Sequence, residues 1–172
     1  MAAVIGSSTN NPRTYWMQYL FNGQMFKFGH TYSIASLGTA YMQGIVPAGK
    51  LIHIFSRTMD VEGGGPVTCS LYEAPTITDG TTPPDITSNL DRRSAKTPTF
   101  LNYINPTGVS GGTLIDRDVI PTGGGPKTTA SFVSGATERI LKPSTKYCLV
   151  FYNGGTQTSS FTINITWYES GN

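Results

Sequence analysis

Near the carboxyl end, hydrophobic and polar residues alternate one by one. From Phe161 to Trp167 the odd positions hold Phe161, Ile163, Ile165 and Trp167, and the even positions hold Thr162, Asn164 and Thr166. A period of two predicts a strand with one buried and one solvated face. Its β-branched and aromatic residues suit a pleated, half-buried surface. The preceding run, Tyr147 to Tyr152, is apolar almost throughout and predicts a strand buried on both faces. Asn153-Gly154-Gly155 and the Thr/Ser run to Ser160 connect them, so the pattern predicts a carboxyl-terminal β-hairpin.

The same reading extends upstream. Leu51–Phe55, Val67–Glu73, Phe100–Ile104 and Thr113–Ile120 read as strands, with shorter ones at Tyr32–Ile34 and Ala40–Met42. Turns fall at Pro47–Lys50, Glu62–Pro66, Pro106–Gly108 and Gly123–Pro126. The two Gly-Gly-Gly-Pro copies have flanks too different to argue strongly for a duplicated half. Residues 74–98 read as a long loop with short extended pieces such as Thr76-Ile77; a loop of that length points to function or an interface. Residues 15–28 are rich in aromatics, and Asn22-Gly23 signals a hairpin there, or a loop lying against a partner. Residues 1–14 form an extended arm, frayed or docked on a neighbour, in which Pro12 argues against a helix interior. The expectation is eight to ten strands and no helix: an all-β, jelly-roll-like antiparallel β-sandwich over residues 15–172, behind an amino-terminal arm over 1–14.

Composition narrows the function. The chain has 172 residues, enough for one domain with a real core, and only 13% are charged. A net charge of +2 argues against a direct nucleic-acid partner. No apolar run is long enough to span a bilayer, so no membrane partner is expected. The start, Met-Ala-Ala-Val-Ile-Gly-Ser-Ser, has neither basic n-region nor long apolar core, so no signal peptide is expected. Cys69 and Cys148 both fall in predicted strands and read as buried thiols, with a disulfide as the lesser alternative.

Several patterns mimic chemistry. Gly108-Val109-Ser110-Gly111-Gly112 matches a nucleophile elbow, but strands flank it and both histidines, His30 and His53, precede it. Gly44 to Lys50 matches most of a P-loop, but Leu51 stands where a magnesium-binding Ser or Thr is needed. Asp116 and Asp118 share one strand face and suggest a cation or paired-carboxylate site, or simply a face neutralised by cations of neighbouring strands. Asn164-Ile165-Thr166 is a glycosylation sequon set mid-strand in a chain expected to lack an export signal. No metal-ligand spacing, cofactor motif or catalytic set emerges, so the chain reads as a non-enzyme without cofactor or metal. The cluster Tyr15, Trp16, Tyr19, Phe21, Phe26 and Phe28 suits core packing, a protein contact or sugar stacking.

An ordered set of short motifs carries a resemblance. Ser70-Leu71-Tyr72-Glu73-Ala74-Pro75-Thr76 is followed by Asp79-Gly80-Thr81 and Asn89-Leu90-Asp91-Arg92-Arg93-Ser94. Then come Gly112-Thr113-Leu114-Ile115, Ile140-Leu141-Lys142-Pro143-Ser144-Thr145-Lys146-Tyr147 and Trp167-Tyr168-Glu169. Over residues 50–169 the chain resembles the head-associated structural proteins of tailed-bacteriophage virions; residues 1–50 match none of the pattern. The resemblance implies a capsid decoration, or cement, protein. Such a protein binds over major capsid protein subunits, associates with itself as a homo-dimer or homo-trimer, and stabilises the mature head. It would be assembled in the host cytoplasm and sit on the outer surface of the capsid. Expected partner contacts are Arg13, Tyr15 and Trp16 in the arm region and Arg92 and Arg93 in the long loop. The alternative is a tail-associated receptor- or carbohydrate-binding β-sandwich module.

Overall fold

A computed structural model describes residues 12–63, 65–82, 87–121, 129–134 and 138–171. Residues 1–11 of the predicted arm and the Gly123–Pro126 turn lie outside the described residues. Among the described residues, one helix, α1 (Pro12–Phe21), precedes thirteen strands. These are β1 (Met25–Ile34), β2 (Thr39–Ile45), β3 (Lys50–Gly63), β4 (Val67–Glu73), β5 (Thr76–Thr78), β6 (Thr87–Asn89) and β7 (Leu101–Ile104). They continue with β8 (Thr107–Ser110), β9 (Thr113–Ile120), β10 (Thr129–Ser134), β11 (Arg139–Leu141), β12 (Lys146–Asn153) and β13 (Ser159–Gly171).

All pairings are antiparallel. One sheet runs β10-β3-β13-β1-β6, with β11 also on β3, and the second runs β7-β2-β12-β4-β9. Set aside the insert 74–112, and the strands pair first with last: β1 with β13, β2 with β12, β3 with β10, β4 with β9. This four-rung ribbon is then rolled up, so that β13 also meets β3 and β12 also meets β4. That winding is the jelly roll, and the expected all-β sandwich is the observed one. The insert adds β6 beside β1 and β7 beside β2, and a small β5–β8 pair.

Four expectations need correction. The carboxyl-terminal hairpin does not form: β12 and β13 lie in different sheets, each at its centre. The connection crosses the sandwich because Asn153, fully buried, donates to Ile34 O, Ala35 O and Gln157 O while accepting from the Gly155 amide. The absence of a helix is corrected by α1. Pro12 opens it, where a missing N–H and a preset φ cost nothing. The hairpin expected at Asn22-Gly23 is instead the end of that helix. The strand count also exceeds eight to ten, since β5, β6 and β11 have three residues each and show no periodicity.

The core lies between the sheets. Odd residues of β13 face even residues of β1 inward, and Phe26, Phe28, Phe151, Phe161 and Trp167 are at most 2% exposed. On β3 the phase changes. Ile54 pairs with Trp167 and Ser56 with Thr166, so Phe55 is an extra residue, a β-bulge. Ile52 and Ile54 face inward before it, Arg57, Met59 and Val61 after it, and Phe55 is turned to the outer face. Cys69 faces the core, and Cys148, on the adjacent β12, has the opposite phase; both are buried and free, so no disulfide joins them. Burial pushes each thiol up to about 12.

Candidate functional site

Helix α1 is apolar on more than one side, which a surface helix of a lone domain seldom is. Its inner side packs on the outer face of the first sheet. Trp16 lies 5.3 Å from the bulged Phe55, and Tyr19 stacks on Tyr168 at 4.3 Å. The bulge at Phe55 supplies the apolar floor on which the helix rests. The outer side carries Met17 and Phe21, one helical turn apart, with Phe21 66% exposed.

The helix ends in a Schellman motif. The Gln24 amide bonds Tyr19 O (2.8 Å) and the Gly23 amide bonds Leu20 O (3.0 Å), with Gly23 at φ +63°. A side chain at residue 23 would also collide with Ser94. That contact comes from the long loop, which is bonded to the helix end. Asn89 Nδ2 donates to Gly23 O (2.9 Å) and Lys96 O (3.1 Å), and Lys96 Nζ donates to Asn22 O (2.8 Å). Asp91 accepts the side chain and the amide of Arg93 (2.9 and 3.1 Å), and those bonds hold its carboxyl below the usual range. Residues 89–96 of the predicted long loop are therefore a folded extension of the helix end.

The expected contact residues divide accordingly. Arg13 and Tyr15 stand in the first turn of α1, and their side chains lie outside what is described. Trp16 is half-buried on Phe55. Arg93, though exposed, is held by Asp91. Arg92 is exposed and makes no hydrogen bond or ion pair among the described residues. Sequence reasoning did not single out Met17 and Leu90, which is 37% exposed. The signal that would have found the helix was Pro12 at its start and Asn22-Gly23 at its end, read together as helix punctuation.

The other patterns resolve as follows. Asp116 and Asp118 face the interior, where Arg57 of the opposite sheet holds both, and Arg139 of β11 holds Asp116 at 3.1 Å. Arg117 points the other way, to Ser70 Oγ at 3.3 Å. Burial nonetheless raises the Asp118 carboxyl above its ordinary value, against the pull of Arg57. Ser110 ends β8 with no histidine partner, and the P-loop-like stretch runs from β2 into the start of β3. His53 sits between Glu138 (Nδ1–Oε1 2.5 Å) and Ser170 (Nε2–Oγ 2.9 Å). Tyr168 also donates to Glu138 and stacks on His53 at 4.4 Å. Those two imidazole bonds are the ones a hydrolase triad uses. Here the ring is 6% exposed and Ser170 is set within the β13–β3 ladder, so the cluster ties β3 and β13 to Glu138, the residue that leads into β11, under α1. Among the described residues, no three His, Cys, Asp or Glu side chains converge to hold a metal ion.

Comparison with known proteins adds no family: neither a protein-family model nor a curated protein sequence matches the chain.

Proposed function

We propose that the chain is a non-enzymatic structural protein of a virion, a decoration protein that binds over major capsid protein subunits and stabilises the head. One observation carries the contact surface: an apolar helix rib, Met17 and Phe21, left open on a helix that is packed on the sheet through Trp16 and Tyr19 and fastened at its carboxyl end. Aromatic, methionine and arginine side chains are the residue types that dominate protein interfaces. Here Phe21, Met17 and Arg92, which has no partner among the described residues, belong to two segments bonded to each other, so little ordering is needed on docking. The jelly roll behind them supplies stiffness, and repetition on a lattice supplies avidity. The motif resemblance over residues 50–169 supports the virion setting. Self-association as a dimer or trimer belongs to the same proposal. The carbohydrate alternative draws less support, since Tyr19 stacks on Tyr168 and Trp16 packs at a tilt against Phe55, so both rings are engaged with the sheet.

The test is co-sedimentation of purified protein with expanded capsids that lack it. Parent protein is expected to saturate the shell and raise its rupture temperature. Phe21→Ser and Arg92→Glu should each weaken binding at least tenfold without changing the fold. Parent protein that stays in the supernatant refutes the assignment.

A further inference from the structure

The bulge at Phe55 turns Arg57 of β3 inward and alternation does the same for Asn102 of β7, on the opposite sheet, so that both line a cavity of about 70 Å³ between the sheets. Most of its wall is apolar, with Met42, Ile54, Leu71, Leu149 and Ile165 among the lining residues. The ionic groups there are spent on one another. Arg57 holds Asp116 and Asp118, Arg139 holds Asp116, and the Tyr147 hydroxyl is engaged by the Lys142 amide and Glu73. What remains is one amide and one N–H. Asn102 is 8% exposed, and neither its Nδ2 nor its Oδ1 has a partner; Arg57 is 7% exposed, and its Nε has none. An apolar cavity with a few convergent polar atoms is the anatomy of a small-molecule site.

We infer that this cavity binds a small uncharged molecule with a carboxamide-like head, one acceptor beside one donor, on a short aliphatic body. The charge follows from the two aspartates and two arginines, which already balance. A carboxylate would meet Asp116, and an ammonium would meet Arg57 and Arg139. The head follows from the unpartnered atoms. A ligand carbonyl takes the Asn102 Nδ2 or Arg57 Nε proton, and a ligand N–H gives one to Asn102 Oδ1. The size follows from the volume, roughly half that of a 150 Å³ cavity that admits benzene, hence about three heavy atoms, the amide head itself, within the cavity and the aliphatic body toward its open rim. The rim is the Arg139–Asp116 ion pair, whose side chains are 36% and 26% exposed. The site is independent of the decoration role.

The experiment titrates the full chain with propionamide, and in parallel with propionate and propylammonium, following the methyl resonances of Ile54, Leu149 and Ile165. Propionamide is expected to give saturable shifts at millimolar concentration, as so few atoms allow, and the two ions none. Asn102→Leu should weaken propionamide at least tenfold. Leu149→Phe, which fills the cavity and leaves Asn102 in place, should do the same and covers the case in which the first variant misfolds. Equal shifts with the ions, binding untouched by both variants, or a high-resolution structure in which ordered water alone persists at saturating propionamide would each overturn the inference.

Discussion

Two buried polar clusters in one core behave in opposite ways. At the end of β13, Glu169 is 4% exposed, and its carboxylate is surrounded by donors. It accepts the Thr99 amide (2.9 Å to the nearer oxygen), the Thr99 hydroxyl (2.6 Å), the Phe100 amide (3.0 Å) and Trp167 Nε1 (3.2 Å). At the other cluster, Arg57 reaches two carboxylates, yet its own Nε and both ends of Asn102 go unmet. A buried charge is tolerated when its hydrogen bonds are filled. The Glu169 cluster meets that condition and fastens the insert onto the sheet. The Arg57 cluster does not, and it is the one that borders a cavity. The difference separates a fastener from a candidate binding site within one hydrophobic core.

The largest effect should come from undoing the fastener. Glu169→Ala leaves two amides, a hydroxyl and an indole N–H unpaired in the interior, and should lower the unfolding free energy by about 3–5 kcal/mol. Urea unfolding followed by tryptophan emission reads this directly. A loss under about 1 kcal/mol would mean that the bonds to Thr99 and Phe100 do not hold the insert in place. Arg57→Met should be milder, about 2 kcal/mol. The carboxylates it abandons are partly exposed, at 26% and 16%, and Asp116 keeps Arg139. If the two variants lose equal stability in the same urea series, the contrast between the clusters is wrong.

The pH dependence carries a smaller signature with a definite sign. Burial raises the Asp118 carboxyl above its ordinary 3.8, with Arg57 opposing. The folded chain therefore keeps this proton to higher pH than the unfolded chain does. Its contribution to stability is present below the ordinary carboxylate pKa and is lost as pH rises through the raised value. Glu73, held down by its hydrogen bond to Lys142, and Asp79, held down by Lys146, run the other way and lose stability as pH falls. Asp118→Asn removes only the first contribution. The variant's stability should thus climb more steeply than the parent's as pH is raised from just below 4. Parallel curves in pH-resolved urea titrations would show that Asp118 is not desolvated as its position implies.

Much of the sandwich is legible in the chain. The Phe161–Trp167 alternation names the inward residues of β13, and Val67–Glu73 and Thr113–Ile120 match β4 and β9 to the residue. What escapes is of three kinds. Periodicity tells which face a residue takes but not which strand lies beside it, so β12 and β13 read as a hairpin although they belong to different sheets. A bulge shifts phase without a compositional mark, so nothing before Phe55 announces that Arg57 turns inward. Polar residues in a strand read as solvated. Asp116, Asp118 and Asn102 are therefore hard to place inside, although the period of two puts Asp116 and Asp118 on one face. Helix α1 escapes for a different reason. Its apolar residues serve two sides, so no clean period appears, and the information sits in Pro12 and Asn22-Gly23 at its ends. Of the proposed contact surface, the sequence reading names Arg92 but not the helix that carries Met17 and Phe21.

The smallest predicted change in stability is also the one that inverts the sign. Removing Glu169 strands its donors, because their acceptor is lost. Replacing Asn102 by leucine strands nothing, since neither polar atom of its amide has a partner to leave behind. The substitution exchanges a buried amide for an apolar group of similar shape beside Met42 and Leu149. Such an exchange is neutral to mildly stabilising, here a gain of about 0–1 kcal/mol. A shift of that size is within reach of thermal unfolding of parent and variant side by side in ligand-free buffer. A loss of about 2 kcal/mol or more would mean that the amide is fully hydrogen-bonded in solution. Asn102 would then belong with Glu169 as a fastener, and the contrast between the two clusters would collapse.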